Sequence, residues 1–161
     1  MQRPLYYLEL IFNLNERLFI NALAGVTDDL AKQRISNHNN PMNWLITHTV
    51  WARYNVAGML GQPVENPYKG YFEGFKPFEE SMKFDTVEKL KEEWNKAGVL
   101  LKKGLAAVTE EHLAADAPFK NPAGDQTIAG TLAFLAEHES YDIGQMGLLK
   151  KFLTKEAMSY N

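Results

Sequence analysis

Apolar residues recur every three or four positions through four stretches of the chain, the spacing of one face of an α-helix. No stretch alternates convincingly with the two-residue period of a strand. The first stretch runs from about Pro4 to Ala24, with Leu8, Ile11, Phe12, Asn15, Leu18, Phe19 and Ala22 on the inward face. Gly25 and the run Thr27-Asp28-Asp29 end it and offer the start of a short helical turn. The second follows the segment SNHNNPMNW, in which Asn40 is placed to cap and Pro41 to take the first helical position. It continues to about Leu60 and stops at Gly61. The third covers about Thr86 to Val108, capped by Asp85, with Val87, Leu90, Trp94, Ala97, Leu101, Leu105 and Val108 inward. The fourth starts near Thr127 and reaches about Leu153.

Residues 61–84 break the pattern. They carry Gly, Pro and six aromatics, among them Tyr68, Tyr71, Phe72, Phe75 and Phe78. A connection of this length inside a compact domain is a lid or a crossover, and a crossover that spans a bundle lets helices two and three run parallel. Its aromatics either close the bundle end as accessory core or pack over a site beside Trp44 and Trp51. The pattern predicts an all-α four-helix bundle, a single domain over residues 1–161, with no internal repeat.

Two inward stripes are interrupted by chemistry. In the fourth helix the stripe reads Thr131, Leu135, His138, Asp142, Gln145, Leu149, Phe152. A core stripe should be apolar throughout. Burying an unpaired carboxylate or imidazole costs several kcal/mol, so such groups are paired or bound to something. His138 and Asp142, four residues apart, can reach one cation or can simply hydrogen-bond within the helix. In the second helix a stripe reads Trp44, His48, Trp51, Asn55. A lone histidine on an apolar face is commonly a hydrogen-bonded core residue. Two polar clusters on facing helices of one bundle are the way bundle cores hold metals. One ion can be shared only if the His48 imidazole and the Asp142 carboxylate come within about 8 Å.

Glu139 stands beside His138 and reads either as a substitute ligand or general base, or as a rim carboxylate paired with Lys or Arg. Gln145 suits hydrogen bonding to a ligand. His38 and His112 lie in polar runs and read as solvated loop residues.

The 161 residues are 45% hydrophobic and 12% aromatic, which marks a folded protein with a sizeable core. A net charge of −3 gives no reason to expect nucleic acid or an anionic membrane as partner. The absence of cysteine removes thiolate catalysis and Cys-ligated metals, and fits a reducing compartment. The N-terminal segment is interrupted by Glu9, Asn13, Asn15, Glu16 and Arg17, so it reads as a helix of a cytoplasmic protein and not as a signal peptide or membrane span. Surplus apolar residues beside the inward set of helix one, such as Tyr6, Tyr7, Leu10 and Leu14, suggest a partner surface and a homodimer.

The segments NPMNWLITHTVWARYNVAGMLG and EHESYDIGQMGLLKKFL, with VTDDLAKQRI before the former, resemble the DinB-like, or YfiT-like, superfamily of metalloenzymes over nearly the whole chain. The resemblance implies an up-down-down-up four-helix bundle with a long crossover between helices two and three. It also implies a divalent metal, often nickel or zinc, on three histidines. His48 matches the helix-two ligand, His138 the first position of a His-x3-His-x2-Gln pattern, and Gln145 its glutamine. Asp142 stands where the family has the second histidine. A two-His, one-carboxylate set is chemically sound for zinc or iron, although aspartate is shorter than histidine.

The superfamily includes thiol-dependent S-transferases and isomerases, and members of hydrolytic type. With no cysteine in the chain, a thiol would come from a low-molecular-weight cofactor. The expectation is therefore a metal-dependent enzyme of thiol-transfer or hydrolytic type acting on a small molecule. The alternative is a non-catalytic, stress-related dimeric bundle with a degenerate metal site. Nothing in the chain matches a Ser-His-Asp, P-loop or dinucleotide pattern.

Overall fold

The computed structural model describes residues 5–161, so the expected start of the first helix at Pro4 lies outside the described residues. Six helices follow one another: α1 (Tyr6–Ala22), α2 (Asp28–Ala31), α3 (Met42–Met59), α4 (Val87–Ala107), α5 (Glu110–Ala114) and α6 (Ile128–Thr154). Among the described residues there is no strand, only an isolated bridge between Asp116 and Thr127. No helix among them is long and apolar enough to cross a membrane.

The four long helices correspond to the four periodic stretches. The two short ones are each a single turn or so, too brief to impose a period. Threonine caps recur: Thr27, Thr86, Thr109 and Thr127 each accept from the backbone N–H three residues on, satisfying a donor the helix leaves free. Thr86, not Asp85, thus caps α4; Asp85 accepts instead from the Tyr68 hydroxyl at 3.0 Å. The expected Asn40 cap is also corrected. The residue preceding α3 is Pro41, and no side chain caps that end.

α3 packs against α4 and α6, and α1 packs against α6 and touches α4. One core cluster joins Phe19, Leu23, Ile46, Trp94, Ile143 and Met146; a second joins Phe12, Val56, Leu101, Leu132 and Ala136. The predicted inward faces hold best in α4, where Val87, Leu90, Trp94, Ala97, Leu101 and Leu105 are all buried. Three assignments fail: Ile11, Asn55 and Phe152 are exposed. In α6 the most buried line runs Leu132, Ala136, Glu139, Ile143, Met146 and Lys150, and His138 and Asp142 of the polar stripe lie on the flank that faces α3.

Residues 60–86, between α3 and α4, contain turns but no helix. Tyr68 and Phe72 are buried there, and Phe75 is fully exposed.

Candidate metal centre

His48 sits in the middle of α3, and His138 and Asp142 sit one turn apart in α6. The packing of these two helices brings the three side chains together. One ligand atom from each lies within 4.8 Å of the other two. His48 Nδ1 is 2.8 Å from Asp142 Oδ2, and His138 Nε2 is 3.7 Å from the same oxygen. Two ligands of one tetrahedral zinc, each about 2.1 Å from the metal, lie about 3.4 Å apart. The two observed separations straddle that value, and the carboxylate is long enough to meet both imidazoles. Two imidazoles and a carboxylate form a donor set that suits zinc, nickel or iron(II).

Exposure is graded across the cluster. The Asp142 side chain is 4% exposed, His48 15% and His138 32%, so the cluster opens to solvent on the His138 side. Asp142 also receives weak contacts at about the hydrogen-bond limit, from Thr49 Oγ1 to Oδ2 at 3.5 Å and from Gln145 Nε2 to Oδ1 at 3.4 Å. Such partners fix the orientation of a ligating carboxylate.

Aromatic rings wall the closed side. Trp44 stacks on the His48 ring at 4.9 Å with the planes 8° apart, and Trp51 lies at 5.6 Å. Phe72, from the long connection, sets its edge against His48 at 5.0 Å and also touches both tryptophans. Phe134 stacks on His138 at 5.7 Å. The Trp44 indole N–H is buried with no hydrogen-bond partner among the described residues, a deficit of about 1–3 kcal/mol that a ligand can make good.

Not every predicted site residue joins the cluster. Asn55 is exposed, and its side-chain oxygen accepts from Asn66 at 2.9 Å. Glu139 is neither at the rim nor on the metal cluster. It is buried, and its carboxylate receives both Nε and Nη2 of Arg53 at 3.0 Å. The same Arg53 bonds the Phe12 carbonyl at 2.9 Å and lies 3.7 Å over the Trp94 ring. His38 is exposed in the α2–α3 linker, as expected. His112 belongs to α5, and its Nε2 lies 2.7 Å from the Met59 carbonyl oxygen.

The reading from sequence overlooked Thr49, Arg53 and Phe134. Arg53 had a visible signal, since it is the one Lys, Arg, Asp or Glu between Met42 and Met59.

The fold has a clear relative among solved structures. A conserved protein from Enterococcus faecalis superposes with a TM-score of 0.72 over 97% of this chain and 100% of its own, at 16% identity. No curated protein matches the chain. The family model described as the DinB superfamily matches residues 11–146, which takes in α3 and α6 as far as Met146 and so includes His48, His138 and Asp142; the chain belongs to the DinB superfamily.

Proposed function

We propose that this chain is a divalent-metal-dependent enzyme of thiol-transfer or hydrolytic type, with zinc or nickel, or alternatively iron, held by His48, His138 and Asp142. The observation that carries the reading is the convergence of three ligand atoms within 4.8 Å from two helices. A bound divalent ion supplies Lewis acidity, acidifying the water or small-molecule thiol that enters the site. The chain's own residues supply the rest. His138 borders the open side, where a substrate arrives. Trp44, Trp51 and Phe72 keep water from the far side of His48, which strengthens the electrostatics of the cluster. Gln145 steadies the Asp142 carboxylate, while the Thr49 hydroxyl gives its proton to the Leu45 carbonyl at 2.7 Å.

The proposal includes the architecture: one domain, a four-helix bundle of α1, α3, α4 and α6 running up-down-down-up. Its support is the order of contacts. Tyr54 meets Glu93 while Leu60 meets Gly104, as parallel α3 and α4 require. His48 meets Asp142 while Arg53 meets Glu139, as antiparallel α3 and α6 require. A cytoplasmic homodimer completes the reading. Tyr7, Leu10, Ile11 and Leu14 form an exposed apolar strip at helical spacing on α1, the kind of surface a second copy covers.

One observation favours a second reading, a non-catalytic bundle with a relic site. His48 and Asp142 already satisfy each other at 2.8 Å. Zinc titration by calorimetry separates the two. The enzyme reading expects one zinc per chain, abolished in His138→Ala with the melting temperature of the metal-free protein little changed. Absence of zinc, nickel and iron binding in the wild type overturns it.

A further inference from the structure

We infer that a cleft between the α2–α3 linker and α6 receives an uncharged small molecule with an amide or hydroxyl head and a short apolar body. The inference rests on the metal-dependent reading above and specifies the class of its substrate. The cleft has a volume of about 190 Å³, below the roughly 300–1,000 Å³ of sites that take drug-sized ligands. Leu45, Leu148 and Leu149 give it an apolar wall, and Asn39, Asn40 and Gln145 give it amides. No charged side chain lines it. An ion placed there surrenders its hydration without a counter-charge, whereas an amide or hydroxyl finds donors and acceptors of its own kind.

Gln145 joins the cleft to the metal centre. It lines the cleft, and its Nε2 donates to Asp142 Oδ1 at 3.4 Å. Leu45 in α3 and Gln145 in α6 each lie three residues from a metal-cluster residue, His48 and Asp142, and so one helical turn away on the same flank. A molecule seated in the cleft thus lies against the side chain that steadies the carboxylate.

The test uses the full chain and three probes of similar size: butyramide, butyrate and butylammonium. Each is titrated into ¹⁵N-labelled protein, metal-free and zinc-loaded, with the amide resonances followed by NMR. Butyramide is expected to shift Asn39, Asn40, Gln145 and Leu148 saturably. In the metal-free protein, where butyrate has no metal to ligate, the two ions should bind at least about tenfold more weakly, because a desolvated, unpaired charge costs several kcal/mol. Leu148→Glu, at a position 65% exposed and therefore tolerant of the change, should abolish the butyramide shifts while the melting temperature holds. Equal binding of the ions by the metal-free protein, shifts confined to other surfaces, or survival of binding in Leu148→Glu overturns the assignment. Failure of zinc to bind overturns the proposed function and leaves the cleft result standing. Zinc binding without butyramide shifts removes the cleft alone.

Discussion

Arg53→Met isolates the buried ion pair that crosses from α3 to α6. Arg53 is 1% exposed and Glu139 4%, so both charges are out of water. Their two hydrogen bonds, at 3.0 Å each, are the paired, fork-like contacts that make such burial tolerable. Removing the guanidinium leaves Glu139 as an uncompensated buried charge, a loss of about 3–5 kcal/mol. The lost stacking on Trp94, 3.7 Å away, is up to about 2 kcal/mol of that loss. Methionine refills part of the space, so the cavity contribution is small. A net loss of about 4 kcal/mol is a large share of the roughly 5–15 kcal/mol that holds a domain folded. At about 2–4 °C per kcal/mol for a chain of this size, the melting temperature should fall by about 8–16 °C. Urea unfolding followed by circular dichroism measures the free energy. The partner experiment is Arg53→Met with Glu139→Leu, which removes both charges and should return to within about 2 kcal/mol of wild type. Its zinc affinity should fall below that of the wild type although Glu139 does not touch the metal cluster, because the Arg53 fork helps to set the register of α3 against α6. A loss below about 1 kcal/mol in the single variant, or a double variant as unstable as the single, would falsify the buried-pair account.

Glu93 makes stability depend on acid. Burial pushes its carboxyl up, but hydrogen bonds from Lys89, Lys96 and Tyr54 outweigh it and hold the group near 2, against an ordinary 4.5. A depressed carboxylate contributes stability that is complete above about 4.5 and lost as pH falls towards 2. With both lysines half-exposed, screening limits the contribution to about 1–3 kcal/mol. Unfolding curves at pH 6 and pH 3 should show this loss in the wild type and a smaller one in Glu93→Gln. Gly104→Ala should destabilise by about 1–3 kcal/mol despite alanine's better helix propensity, because the new Cβ meets Leu60 Cβ at 2.6 Å. A stabilised variant in urea would show that α3 and α4 separate freely at that point.

The sequence was most legible where a helix has one buried side. α4 carries an apolar stripe against charged residues, and every residue of that stripe through Leu105 is buried. α6 packs against both α1 and α3, so much of its circumference is apolar and several stripes fit the same period equally well. Within the polar stripe His138 and Asp142 face α3 while Thr131 accepts from Asn121, and the true centre of the buried face passes through Glu139. A glutamate at that position reads as surface, because a single sequence carries no sign of its partner 86 residues earlier. For the same reason Arg53 was visible as an odd charge without a reason for being there. α5 spans only five residues, less than the repeat needed to reveal it, and His112 therefore passed for a loop residue. Asn40 and Asp85 were sound capping types one position from the true boundary, which is set by the fixed φ of Pro41 and by the Thr86 hydroxyl.

The buried pair bears on the candidate metal centre without touching His48, His138 or Asp142. His48–Asp142 and Arg53–Glu139 are two polar links between the same two helices, set five residues apart along α3 and three apart along α6. Apolar contacts between helices tolerate sliding, since one leucine fills a groove about as well as its neighbour. Polar links do not, because a shift by one turn leaves each buried charge unpaired. The Arg53 fork, which needs both carboxylate oxygens of Glu139, is the stricter of the two. It holds the register in which His48 lies opposite Asp142, and it does so whether or not a metal is present. This gives Glu139 a physical role that needs no proton transfer. It also explains why a carboxylate next to His138 points away from the cation cluster: turned towards it, Glu139 would leave Arg53 buried with only the partly exposed Glu16 carboxylate, 4.0 Å from Nη1, as counter-charge.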